Sequence, residues 1–148
     1  MSKSRVLAGL SILAGVAVIA SGVAIAQDVV AKRKEMMKAV GGATKQSVQM
    51  VKGEVPFDAA KAKANMATIA AWEGSAALFP KGSDTGDTTA APKIWQTFDD
   101  FEAKGKKMVA DAATAAKAAA GGLDAFKTAF GEVTKACKGC HQQYRIKK

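Results

Sequence analysis

The chain has 148 residues, two cysteines, one histidine and a formal net charge of +9, a length that suggests one domain and leaves little room for two. A basic balance favours acidic partners or anionic surfaces, but the lysines are spread along the chain and no nucleic-acid-binding motif accompanies them, which argues against a nucleic-acid partner. With only Lys138 and Gly139 between the cysteines, a disulfide would close too small a loop to stabilise a domain, and a zinc site would lack its fourth ligand.

The N-terminus reads as an export leader. Lys3 and Arg5 form a positive n-region, residues 6–23 an almost uncharged apolar run, and Ala24-Ile25-Ala26 the small residues that a signal peptidase accepts. Cleavage is expected after Ala26, so that the mature chain starts at Gln27 and residues 27–148 form the domain. Loss of Lys3 and Arg5 lowers the charge from +9 to +7. The competing reading is an uncleaved anchor, because the apolar run is about long enough to span a bilayer. In both cases the domain lies outside the cytoplasm; cleavage would leave it in the periplasm with no stable membrane anchor.

The remainder reads as four helices. Alanine and lysine dominate, as in helical proteins, and β-branched residues occur singly and not in alternating runs, so a sheet has no support. The first helix is expected over residues 28–52 with Asp28 as N-cap; Val30, Met37, Val40, Thr44, Val48 and Val51 recur at steps of mostly three and four. Gly41 and Gly42 interrupt it, either as a weak spot or as room for a second helix to cross closely. Residues 53–57, with Pro56, break the chain, and Asp58 is placed to cap a second helix that runs to about Phe79. Residues 80–91 (PKGSDTGDTTAA) form the longest loop.

Pro92 fits the first turn of a third helix, which carries Trp95, Phe98, Phe101 and Met108 and continues to Ala120. Gly121 and Gly122 stop it. The fourth helix reads Leu123, Phe126, Phe130, Val133, Cys137, Cys140 and Tyr144, alternating steps of three and four in a clean a/d seam. At 1.5 Å per residue each helix is roughly 30 Å long. Fairly short connections make neighbours antiparallel, so the expected fold is all-α, an up-down-up-down four-helix bundle.

Cys137-Lys138-Gly139-Cys140-His141 is the C-x-x-C-H pattern of c-type haem attachment. The two thiols lie on one side of a helical turn, where they can add to the two vinyl groups of one porphyrin, and the adjoining imidazole projects under the iron. A thioredoxin-like redox pair would usually open a helix after a strand; this motif closes the last helix of an all-α chain. The single histidine excludes bis-histidine ligation. It also excludes a di-iron Glu-x-x-His site, since Lys138 stands three residues before it. The residues leave the sixth ligand open: methionine, lysine, water or nothing. Met36, Met37, Met50, Met66 and Met108 are each a candidate ligand or core filler. Trp72, Phe79, Trp95, Phe98, Phe126 and Phe130 read as core, some of them touching the porphyrin.

Over essentially the whole mature chain these features resemble the cytochromes c prime. The likeness rests on four helices, C-x-x-C-H at the end of the last, the basic tail Tyr144-Arg145-Ile146-Lys147-Lys148, and the family's Arg-x-x-x-Met/Leu pattern at Arg33 to Met37. The C-x-x-C-H signature alone is shared with many cytochromes, and its position near the C-terminus of a helical bundle makes the match specific. The resemblance implies one covalent haem c with five-coordinate, high-spin iron on His141. It implies that Met37 packs over the open position without bonding the metal, that Arg33 lies near a haem propionate and that Arg145 lies beside the proximal histidine. A homodimer through the first two helices is also implied, with Gly41 and Gly42 permitting close crossing. From the residues alone, Arg33 is one more charge in the Lys32-Arg33-Lys34-Glu35 cluster, and Arg145 is a cation complementing a helix C-terminus.

The functional expectation is a periplasmic gas-binding haem protein, not an enzyme, taking nitric oxide and carbon monoxide and sequestering nitric oxide. Dioxygen does worse, because its bound form needs a distal hydrogen-bond donor that methionine lacks. An electron-transfer cytochrome is the alternative, docking an acidic redox partner through Lys135, Lys138, Lys147 and Lys148. A third reading, a thiol–disulfide enzyme, requires reactive thiols.

Overall fold

A first helix, α1 (Ala17–Val51), carries the valine and methionine repeat of the N-terminal half. It belongs to a computed structural model that describes residues 17–147, with side chains from Asp28 onward. Asp28 is not a cap: it lies inside α1, where its carboxylate pairs with Lys32 at 2.7 Å one turn later. The expected leader falls mostly outside the described residues, which omit 1–16, while residues 17–26 continue α1 as helix. Among the described residues no helix is long and apolar enough to cross a membrane.

Asp58 does cap α2 (Ala59–Ala70), its side chain accepting from the Lys61 N–H at 2.9 Å, a contact worth about 1 kcal/mol. The helix stops at Ala70 and not near Phe79. Gly74 takes a left-handed φ of 77° and a 3₁₀ turn, Ser75–Leu78, follows. The early stop lets Trp72 turn inward against the last long pair of helices. A Cβ added to Gly105 would lie 2.3 Å from Trp72 Nε1, so only glycine admits the indole there.

The third predicted helix is divided. A single turn, α3 (Lys93–Gln96), is separated from α4 (Phe98–Ala118) by Thr97, whose φ of −133° and ψ of 54° are not helical. Trp95 holds the turn back, its indole N–H donating to the carbonyls of Phe79 and Pro80 at 3.1 and 3.0 Å. A 3₁₀ turn, Ala119–Gly121, ends this arm. Gly122, at φ 91°, then turns the chain into α5 (Leu123–Tyr144).

The long helices α1, α2, α4 and α5 form the bundle, and among the described residues there is no strand, only an isolated antiparallel bridge between Ala90 and Arg145. Met50, Met66, Ile69, Ala112, Phe126 and Val133 fill its centre. Burying each large apolar side chain contributes roughly 1.5–3 kcal/mol. Asn65 donates to the buried Ser47 hydroxyl at 3.2 Å, a polar tie set in the α1–α2 contact. A second, aromatic cluster of Phe79, Ile94, Phe101 and Tyr144 sits toward the C-terminal end of α5, and Trp72 packs against both clusters. Gly41 and Gly42 permit no close crossing inside the protomer, since a Cβ at either would meet nothing within 4 Å.

Candidate functional site

The a/d seam of α5 delivers Cys137 and Cys140 to the wall of a cavity of about 630 Å³, within the range of small-molecule and cofactor sites. Arg33, Met37 and Val40 of α1 form one wall. Gly105 and Met108 of α4, with Cys137, Cys140 and His141 of α5, form the other, and Thr88 to Ala90 close one side. Arg145 completes the set. The structure therefore brings all six sequence-selected residues, Arg33, Met37, Cys137, Cys140, His141 and Arg145, onto one surface.

Both thiols are free and half-buried, and Cys137 Sγ lies 3.7 Å from Met108 Sδ. Burial pushes both thiols above their ordinary pKa. A redox-active thiol pair shows the opposite shift. His141 is pushed the other way, below the usual range, first by partial desolvation and second by the positive charge of Arg145. It is held as the neutral imidazole, the form that ligates metals.

Arg33 is no solvated charge. It is only 5 % exposed. Nη2 donates to the Ser83 carbonyl at 2.6 Å and Nε to the Val29 carbonyl at 3.3 Å, while Nη1 is buried without a partner. Burial lowers the pKa of this guanidinium. A buried cationic N–H without an acceptor is costly, and a carboxylate entering the cavity would satisfy it. Met37 lies one turn further along α1, half-buried in the cavity wall.

The other methionines separate by position. Met50 and Met66 are sealed in the core, at 1 % and 0 % exposure, and Met36 is not on the cavity wall. Met108 is, but on the side of Cys137. Trp72, Phe79 and Phe101 line the cavity, whereas Phe126 and Phe130 stack on each other in the core, ring centroids 5.4 Å apart. Cations gather at the cavity: Lys34, Lys38, Lys104 and Arg145 line it beside Arg33, and among the described residues no acidic one does. Lys135, Lys138 and Lys147 are exposed nearby on α5 and its tail, and Lys148 lies outside the described residues.

Sequence reading missed the support around Tyr144. This residue is 3 % exposed. Its phenol donates to Asp100 Oδ2 at 2.6 Å and lies 2.8 Å from Thr97 Oγ1. Burial first, and then the hydrogen bond to Asp100, pushes the phenol pKa up, so it stays a protonated donor. Its backbone carbonyl accepts from Ala91 N–H at 2.9 Å, and Ile146 N–H donates to Thr89 at 2.8 Å. A tyrosine on the seam reads as core filler, and nothing local to it in the sequence announces partners 44 and 47 positions away.

These residues fit a haem. The cavity is large and mostly apolar, two thiols stand one helical turn apart with a neutral imidazole next to them, and the unpartnered Arg33 Nη1 suits a propionate. Residues 28–145 match the family described as Cytochrome C'. The chain is 44% identical over 124 residues to cytochrome c-556 of Agrobacterium fabrum, covering 80% of this chain and 82% of that protein. It is 44% identical over 126 residues to cytochrome c' of Rhodopseudomonas palustris, covering 82% and 84%. Among solved structures it resembles the nitric oxide complex of a mutant cytochrome c prime from Alcaligenes xylosoxidans, with a TM-score of 0.75 and 33% identity over 83% of this chain and 97% of that one.

Proposed function

The chain belongs to the cytochrome c' family and carries covalent haem c, and from that premise we propose that it is a periplasmic protein that binds nitric oxide and carbon monoxide and sequesters nitric oxide. Cys137 and Cys140 hold the haem through thioethers, and His141 is the protein ligand to the iron. When bound, the haem supplies an iron atom that takes small gases. Met37, in the cavity wall, would stand toward a bound haem as a bulky, apolar group that excludes water and offers no hydrogen bond, a setting that favours neutral diatomics over dioxygen. Arg33 neutralises a propionate through its free Nη1, and Arg145 keeps a positive charge beside His141. The protein acts by binding, not by turnover, and pairs with a second copy through α1 and α2.

The observation that carries this reading is the convergence of Arg33, Met37, Cys137, Cys140 and His141 on one mostly apolar cavity. The nitric oxide complex of the Alcaligenes xylosoxidans relative supports it. The cations at the cavity mouth favour a second reading, an electron-transfer cytochrome docking an acidic partner. The spectrum of the reduced protein separates the two. A high-spin iron that takes up nitric oxide supports the first; a low-spin, methionine-ligated spectrum unchanged by the gas overturns it. Survival of a deletion strain under nitric oxide stress tests sequestration.

A further inference from the structure

We infer that Tyr144 is a positioning residue for His141, a clamp that fixes the last turn of α5 and so sets how readily the histidine leaves the iron when nitric oxide binds. The inference rests on the reading of His141 as the iron ligand. His141 is exposed, so its position depends largely on the backbone that carries it. That backbone is the final turn of a helix, where fraying is ordinary.

Here the turn is tied down from three directions. Arg145 N–H donates to the His141 carbonyl at 3.2 Å. The tail pairs with the loop beside the cavity, through Ala91 N–H to the Tyr144 carbonyl and Ile146 N–H to the Thr89 carbonyl. The phenol of Tyr144, one helical turn beyond His141, reaches across to Asp100 and Thr97 at the start of α4. The break at Thr97 makes this reach work. Its non-helical backbone opens α4, Asp100 lies in the first turn that follows, and both side chains meet the phenol.

A 2.6 Å bond from a buried phenol to a carboxylate is charge-assisted and among the stronger hydrogen bonds a protein makes. It is also remote from the apolar packing that defines most of the bundle. The ring itself packs edge-on against Phe101, centroids 5.3 Å apart, and that contact survives loss of the hydroxyl.

The clamp works against departure of His141. A fixed helix end would keep the His141 imidazole within reach of the iron of a bound haem; a loosened one would let the whole turn move away and make return rare. Were the coordinate bond from His141 lost when nitric oxide binds, its electron pair would stay on the imidazole.

The experiment compares the haem-loaded wild type with Tyr144→Phe, which keeps the ring and removes the hydroxyl. Absorbance and electron paramagnetic resonance follow the nitrosyl from the histidine-bound to the histidine-free form. The expected result is histidine release about three- to tenfold faster in Tyr144→Phe, in line with loss of one charge-assisted hydrogen bond, or a larger histidine-free share where wild type converts only in part. Asp100→Asn keeps the phenol, weakens its acceptor and moves the rate in the same direction; it serves as the test if Tyr144→Phe does not mature with haem. Met66→Ala lowers stability from the core, away from the cavity, and leaves the release rate alone, which separates positioning from general loosening. Equal rates and shares, within a factor of two, in wild type, Tyr144→Phe and Asp100→Asn would overturn the clamp. A change in Met66→Ala as large as that in Tyr144→Phe would do so too. Failure of the wild type to bind nitric oxide would instead overturn the function proposed above.

Discussion

The guanidinium of Arg33 lies over the ring of Phe79, its carbon 4.6 Å from the ring centroid, while one of its terminal nitrogens has no hydrogen-bond acceptor. A cation–π contact of this kind contributes about 0.5–2 kcal/mol. It holds the planar group in the cavity wall with its free N–H unused, ready for a carboxylate.

On the proposed pairing, replacing Arg33 with methionine in the haem-loaded protein leaves a propionate without its partner and is expected to lower stability by about 3 kcal/mol at neutral pH. A carboxylate paired with Arg33 would contribute stability that is present at neutral pH and lost as pH falls and the carboxylate takes up a proton. Urea unfolding at neutral and acidic pH measures this: the gap between wild type and Arg33→Met narrows on acidification. A gap that stays constant with pH would show that no carboxylate titrates against Arg33.

On the proposed role of Met37, Met37→Ala removes bulk from the cavity wall and no ligand. Carbon monoxide association, followed by flash photolysis or rapid mixing, is expected to be faster in the variant, and the reduced spectrum is expected to be high-spin in both proteins. Resonance Raman showing a six-coordinate ferrous iron in the wild type before any gas is added would contradict this, as would an unchanged association rate.

Haem attachment depends on the two thiols separately. Cys137→Ala or Cys140→Ala is expected to leave one thioether or to lose haem during maturation, and His141→Ala to keep the covalent bonds but lose the axial ligand. Denaturing electrophoresis with haem staining reads the first outcome and the visible spectrum reads the second. A wild-type band that sheds its haem under denaturing conditions would rule out thioether attachment at Cys137 and Cys140.

Gly105→Ala puts a methyl group where Trp72 Nε1 would stand 2.3 Å away, so the indole must move. Overpacking of this sort costs roughly 1–3 kcal/mol. Shrinking the partner with Trp72→Phe is expected to recover part of the loss, giving a non-additive double-mutant cycle in thermal unfolding. Additive losses would mean that the two residues do not press on each other.

The α5 seam and the C-x-x-C-H spacing were legible because a single helix carries both, so period and motif needed no tertiary information. The Asp58 cap was legible for the same reason. The end of α2 was not, because Ala71 to Leu78 contain apolar residues at helical spacing, while the contact that accompanies the stop, Trp72 against Gly105, lies in a distant part of the chain. The break at Thr97 is likewise enforced by distant partners: Trp95 reaching the Phe79 and Pro80 carbonyls, and Tyr144 reaching Thr97. Asp28 read as a cap because the leader was set aside, yet in the whole chain the helix runs through it. Burial of Arg33 was hidden by its neighbours Lys32 and Lys34, which are exposed.

The loop that closes one side of the cavity is fastened to α1 and to the C-terminal tail. Arg33 holds the Ser83 carbonyl, Lys34 pairs with Asp87, and the tail from Tyr144 to Ile146 holds Thr89 and Ala91. The loop side of the cavity is therefore shut by two separate fastenings, one from α1 and one from the tail just beyond Cys137, Cys140 and His141, so loosening either of them opens the same side.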